Sequence, residues 1–402
     1  MKLPSAVTQV INLLEAAGFE AVVVGGAVRD YLLGMTPHDY DISTNALPEQ
    51  IKAVFQNYHT LDIGIKHGTV TVFINRRQIE ITTYRSEEDY EDFRHPKKII
   101  FEKVLAEDIK RRDFTINAIC YNKDIIDMVG GLDDLKQKLI RAIGNPQDRF
   151  TEDPLRILRA LRFASGLDFE IESATQKALF EHAVLLKRVS AERINLEFSK
   201  LLMGFKAARI INDYQEIIRI FLPELPRNLR KALDMLPKLP SLELRLAALL
   251  METDYLTVLK RLKYSNLQIK KITFCIDNIN IDFLPDKIFL LRLLKTNQLS
   301  DLVNLVLFQM AMFAVEGSEI SELTTVLEIL NKIEEDKLTL RLRDLAVSGR
   351  DLLDLGFKQG IGIRLLLEKI LDQVIEGKLP NDKEEITKYL RAMKKDLKNE
   401  VV

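Results

Sequence analysis

At 402 residues, with 47% hydrophobic and 29% charged side chains, the chain has the size of two to four domains and the composition of an ordinary soluble globular protein. Its formal net charge of -1 excludes a global basic field, so a nucleic-acid partner would require positive charge gathered on one face. Cys120 and Cys275 are its 2 cysteines, which excludes a disulfide framework or a Cys-rich zinc site and suits a reducing compartment.

Residues 5–17 have the helical spacing Val7, Val10, Ile11, Leu13, Leu14. Glu15 interrupts that apolar pattern, and no stretch reaches transmembrane length, so a cytoplasmic protein with no membrane partner is expected. A β-branched strand, 22–24, then ends at Gly25-Gly26, and a helix over 27–33 follows at once. Glycines let a ligand approach the backbone, and a helix start offers unpaired N–H groups to an anion. After a turn at Gly34 and Pro37, Asp39 and Asp41 stand two residues apart in an extended segment. Strand side chains alternate, so both carboxylates point the same way. Like charges so placed call for a cation, and Mg²⁺ takes carboxylate oxygens while leaving positions open for phosphates.

Pro48 opens a short helix to residue 55, and 68–85 alternates as a hairpin turning at Asn75-Arg76. Ile79 and Ile81 share one face; Gln78, Glu80 and Thr82 share the other. Glu80 is thus placed either to join Asp39 and Asp41 or to be a solvated strand residue. Residues 86–99 pass from acidic to basic without a hydrophobic period and are expected to form a mobile surface loop.

In RRDFTINA (111–118), Asp113 can accept from ribose hydroxyls and Arg112 can donate to sugar or triphosphate. In EDPLRILRALRF (152–163), Pro154 fits a first turn, with Glu152 or Asp153 as its cap. Asp153 and Arg156 are then i,i+3 neighbours continued by Arg159, while steps of three drift by about −60° each and carry Arg162 nearly opposite. Helical spacing continues to the C-terminus, with Pro223, Pro226, Pro237 and Pro240 marking a boundary near 222–240. Basic clusters at 260–271 and 388–398 fit solvated helix faces or RNA contacts, and the four glycines in 349–364 with Lys358 and Arg364 could grip a backbone phosphate.

GGAVRDYLLG followed by DYD, together with RRDFTINA and EDPLRILRALRF, resembles the signature of the class II tRNA nucleotidyltransferases and bacterial poly(A) polymerases. DMVGGLDDL (127–135) resembles that family's loop motif, with Met128 where a proline usually stands. The resemblance implies an α+β fold: a nucleotidyltransferase (polymerase β-like) head with a small mixed sheet over 1–140, then an all-α neck (141–205), body (206–320) and tRNA-binding tail (321–402). It implies addition of CCA to tRNA from CTP and ATP with release of pyrophosphate, Asp39 and Asp41 holding two Mg²⁺ and Glu80 as third carboxylate. Gly25, Gly26, Arg29, Arg112, Asp113, Arg159 and Arg162 would hold nucleotide. Asp153 and Arg156 would act as a protein template, accepting from the amine of C or A and donating to the adjacent ring acceptor. The charged segment 86–99 would assist addition of the final A. The family also contains A-adding, CC-adding and poly(A)-adding members, monomers and homodimers. A phosphohydrolase domain of the His-Asp type has no counterpart, since the only such pair is His38-Asp39.

Overall fold

The computed structural model describes residues 1–37, 39–62, 64–90, 96–336 and 341–399. The chain makes two compact units, one from Met1–Leu225 with Thr257–Tyr264, the other from Pro226–Leu256 with the chain from Ser265 onward.

The first unit opens with α1 (Ser5–Ala16), β1 (Ala21–Val24), α2 (Gly26–Leu32), β2 (Asp41–Thr44), α3 (Pro48–Val54), β3 (His59–Leu61), β4 (Thr69–Ile74), β5 (Arg77–Thr83), β6 (Arg85–Tyr90), β7 (Pro96–Phe101), α4 (Leu105–Lys110), β8 (Cys120–Asn122) and β9 (Asp124–Ile126). β-Branched side chains suit a pleated, packed surface, and β1 is buried at all its positions. It therefore runs inside a seven-stranded sheet ordered β3-β4-β5-β2-β1-β8-β9. Only the β2–β5 pairing in that sheet is parallel. The β4–β5 turn is the expected one: Asn75 (φ 48°) and Arg76 (φ 62°) are both left-handed, the conformation a tight two-residue hairpin demands.

The charged segment departs from the sequence expectation. In place of a mobile loop, β6 and β7 form an antiparallel ribbon that sets Arg85 opposite Phe101 and Glu88 opposite Lys98. The ribbon continues from the core, for Glu102 N–H donates to the Tyr84 carbonyl (2.7 Å) and Ser86 Oγ bonds Glu102 (2.6 Å). A ladder of backbone bonds needs no hydrophobic period. The tip, 91–95, lies outside the described residues, as does His38.

Beyond the sheet come α5 (Gly131–Gln137), β10 (Leu139–Ile140), α6 (Pro146–Glu152), α7 (Leu155–Leu167), β11 (Glu170–Ile171), α8 (Ser173–His182), α9 (Ala191–Leu202), α10 (Ala207–Asp213) and α11 (Gln215–Phe221). Ahead of α5, the Asp127 carboxylate accepts from the N–H groups of Val129 (3.1 Å), Gly131 (3.0 Å) and Leu132 (2.8 Å), so the loop is held without the proline that Met128 replaces. The late segment Thr257–Tyr264 closes this unit: Asn195 donates to the Leu262 carbonyl (2.8 Å), Ser199 meets the Tyr264 hydroxyl (3.2 Å) and Arg261 pairs with Glu224 (2.7 Å).

The second unit contains α12 (Arg230–Met235), α13 (Leu242–Leu250), the start of α14 (Tyr255–Arg261), α15 (Asn266–Asp277), α16 (Lys287–Leu294), α17 (Leu299–Glu316), α18 (Ser321–Glu335), α19 (Gly349–Asp354), α20 (Ile361–Ile375) and α21 (Lys383–Asn399). Its core gathers Leu290, Leu302, Leu305, Val326, Leu330, Leu352, Ile370, Ile386 and Leu390. Contrary to the sequence reading, one segment does reach spanning length: α17 has 18 residues and is apolar enough to cross a membrane. Length and composition alone are weak grounds, because the core helix of a globular unit passes the same test. Leu302, Leu305 and Val306 of α17 belong to this core, and buried Gln309 donates to the Ile279 and Ile281 carbonyls.

In the first unit α7 and α9 approach closely where Ser165 Oγ donates to the Leu201 carbonyl (2.7 Å) and Lys206 N–H to the Ser165 carbonyl (2.9 Å). A Cβ on Gly204 would lie 2.8 Å from the Ser165 carbonyl carbon, so backbone would have to move. Gly204→Ala is expected to destabilise the protein by about 1–3 kcal/mol, read as a lowered midpoint in urea unfolding.

Candidate active site

Parallel pairing of β2 with β5 sets Asp41 directly opposite Glu80, and Ile42 opposite Ile81. Adjacent strands lie about 4.8 Å apart, so the carboxylates share one face while both isoleucines are fully buried on the other. Asp39 and Asp41 are exposed and Tyr40 between them is buried, the alternation the sequence predicts. Although its oxygens reach solvent, the protein packed round Asp41 pushes its carboxyl above the ordinary value. The charge of Glu80 and then of Asp39 adds to this, and Arg112 opposes it. A cation would relieve that crowding. Among the described residues, no group of three or more His, Cys, Asp or Glu side chains is placed to hold an ion alone. One or two carboxylates completed by substrate phosphates is the usual protein share for Mg²⁺, and Asp39 with Asp41 fits it.

Arg112 stands behind this face. It donates to Ser43 Oγ (3.0 Å) on β2 and to Asp108 Oδ2 (2.8 Å), while Arg111 takes Asp108 Oδ1 (2.7 Å). Asp108 is completely buried, and the two guanidiniums hold its carboxyl below the usual range although burial opposes them. Gly25 links β1 to α2 at φ 79°, a conformation that favours glycine.

Arg29, Asp113, Arg159 and Arg162 converge in one connected array. Arg29 pairs with Asp30 (2.6 Å) and donates to Asn117 Oδ1 (2.6 Å); Asn117 donates to Asp113 Oδ1 (3.2 Å). That oxygen also accepts from Phe114 N–H (2.8 Å), and Arg159 reaches Asp113 Oδ2 at 2.8 and 2.6 Å. Arg159 and Arg162, one turn apart on α7, both face Glu197 of α9, at 3.6 and 3.2 Å. All three guanidiniums surround the Phe163 ring, Arg162 closest at 4.1 Å from its centroid, within cation–π range. Burial pushes Arg162 below the usual arginine range, and among the described residues Glu197 is its one hydrogen-bond acceptor, so an incoming anion meets a partly unanswered charge.

Asp153 and Arg156 do not share a helix as i,i+3 neighbours. Asp153 is extended (φ −140°) at the α6–α7 junction, where its Oδ1 caps α7 by accepting from Leu155 N–H (3.1 Å) and its Oδ2 accepts from Arg193 (2.7 Å). Arg156 donates to Glu152 (2.7 Å) and to the Arg111 carbonyl (2.9 Å). Pro154 fixes this arrangement, since the residue before a proline is driven out of the helical region.

Asn117, Phe163 and Glu197 escaped the sequence reading although the first two lie inside motifs it quoted. Asn117 follows Asp113 by four residues, a spacing that permits the contact found. Glu197 and Arg193 are also four apart on α9, yet their partners Arg162 and Asp153 are distant in sequence.

A mixed sheet bearing paired carboxylates, with a guanidinium cluster on the helix that follows, defines a nucleotidyltransferase. Residues 21–141 match the Poly A polymerase head domain, 168–228 the model described as "Probable RNA and SrmB- binding site of polymerase A" and 241–390 the tRNA nucleotidyltransferase domain 2. The CCA-adding enzyme of Lacticaseibacillus paracasei is 36% identical over 405 residues, 97% of each chain, and that of Enterococcus faecalis 52% identical over 197 residues, 48% of each. The crystal structure of the Bacillus stearothermophilus CCA-adding enzyme in complex with CTP superimposes with a TM-score of 0.78 at 29% identity, covering 100% of both chains. The chain belongs to the family of CCA-adding tRNA nucleotidyltransferases.

Arg159 and the Asn117 hydrogen bond hold the Asp113 carboxyl down at about 2 against burial, from an ordinary 3.8. A carboxylate depressed by folding stabilises the protein above its ordinary value, and that stability is lost as pH falls through the folded value. Asp113→Asn is therefore expected to cost about 2 kcal/mol or more at pH 7. Urea titrations of wild type and variant should converge between pH 4 and pH 2.

Proposed function

We propose that this chain adds C, C and A in turn to the 3′ end of tRNA, from CTP and ATP, without a nucleic-acid template and with release of pyrophosphate. The observation that carries this reading is the register of Asp41 against Glu80 beside Asp39 in a chain of this family. Mg²⁺ held by Asp39 and Asp41 would lower the pKa of the primer hydroxyl and neutralise the triphosphate. Gly25 and Gly26 admit the triphosphate to the start of α2, and Arg162, the least satisfied guanidinium of its cluster, meets phosphate. Arg29 and Arg159 orient it through Asn117 and Asp113.

Base choice falls to Asp153 and Arg156. A carboxylate accepts from the amine of C or A, and a guanidinium donates to the neighbouring ring acceptor. Uracil and guanine present a carbonyl instead, leaving buried polar groups unpaired. Engaging a base requires Asp153 Oδ2 to exchange Arg193, and Arg156 to exchange Glu152, for base edges. The strands Arg85–Tyr90 and Pro96–Phe101 support complete CCA addition over addition of C alone, and the net charge of -1 argues against a poly(A) polymerase.

A tRNA transcript lacking its CCA, incubated with CTP, ATP or both, should gain two, no and three nucleotides respectively on a sequencing gel. Failure to extend with CTP would overturn the reading. Asp41→Ala is expected to leave less than about one hundredth of wild-type incorporation while RNA binding stays near normal. With all four nucleotides, Asp153→Ala combined with Arg156→Ala should relax base choice more than it slows extension; unchanged selectivity would remove both residues from base reading.

A further inference from the structure

On α9, Arg193 and Glu197 face the Asp153 junction and the α7 arginines. At about 100° per residue, Lys200, Leu196 and Met203 form the adjoining flank. That flank is open: Leu196 is 55% and Met203 40% exposed, and just past the helix end Phe205 is 76% exposed. A protein covers such side chains or uses them. Lys206 holds its ammonium 4.7 Å from the Phe205 ring centroid and 3.6 Å from Asp168. Lys200 is exposed and, among the described residues, makes no ion pair with an acidic side chain; Glu192 stands at the far edge of the same flank.

We propose that Leu196, Lys200, Met203 and Phe205 seat the 3′-terminal nucleotides of the RNA primer, Phe205 stacking on a base and Lys200 meeting a backbone phosphate. The inference rests on the nucleotidyl-transfer reading and names the primer's place within it. An aromatic platform beside a cation is how single-stranded nucleic acid is held without regard to sequence, and an end that changes from no C to CC between steps demands that tolerance. The flank also adjoins Arg193 and Glu197, whose side chains contact Asp153 and the α7 arginines.

The test uses the full chain, an RNA hairpin of acceptor and T arms ending before CCA, and CTP. Phe205→Ala should raise the KM for RNA about tenfold and leave the KM for CTP unchanged. Phe205→Tyr should stay within about twofold of wild type. Phe205 is exposed, so melting curves of both variants should match wild type. A 2-aminopurine at the RNA 3′ end should be quenched by wild type and less by Phe205→Ala, whether or not CTP is added. An unchanged RNA KM with unchanged quenching would overturn the proposal, as would equal rises in both KM values. A shift from dimer to monomer in Phe205→Ala with RNA parameters intact would assign the flank to a second copy of the chain instead. Wild-type protein that quenches the probe but never extends it would defeat the transfer reading while leaving the stacking seat standing.

Discussion

A carboxylate taken out of water has to be answered by donors, and Asp113 draws them from two directions. Phe114 N–H and Asn117 come from its own turn, while Arg159 comes from a helix more than forty residues along. Neither source suffices alone, because an ionised group left half-answered in the interior costs several kcal/mol. The turn after the charged motif and the helix after Pro154 must therefore be assembled together. Everything attached to them follows: Arg29 through Asn117, Glu197 through Arg159, and the Phe163 ring that the three guanidiniums enclose.

The chain's near-neutral balance hides this local concentration of cations. Arg111 and Arg112 answer a single buried acid, Asp108, and Arg159 and Arg162 share Glu197, so these arginines are already partnered. Like-charge crowding is left at two places of opposite sign. Asp41, Glu80 and Asp39 crowd negatively on the sheet, and Arg162 remains weakly compensated on α7.

Features fixed by local chemistry were legible in the sequence. The Asn75-Arg76 turn, the alternation of Asp39, Tyr40 and Asp41, and the capping of α7 by Asp153 each follow from neighbouring residues alone. The reading failed where a distant strand or a proline decided the outcome. Residues 86–99 lack a hydrophobic period, yet backbone pairing orders the described parts of β6 and β7. The i,i+3 count from Asp153 to Arg156 assumed one continuous helix, and Pro154 places the first of the pair outside it. Glu197 could not have been found, since no motif announces that a glutamate on α9 lies within reach of arginines on α7.

The segment Thr257–Tyr264 completes the first unit but is synthesised after Pro226–Leu256, which belongs to the second. Domains usually fold in order of their emergence from the ribosome. Here the earlier unit has to wait: until Leu262 and Tyr264 have left the exit tunnel, Asn195 and Ser199 lack the groups they bond in the finished protein. A nascent chain halted at Leu225 would carry every catalytic motif and still be an unfinished fold, open to capture by chaperones along α9.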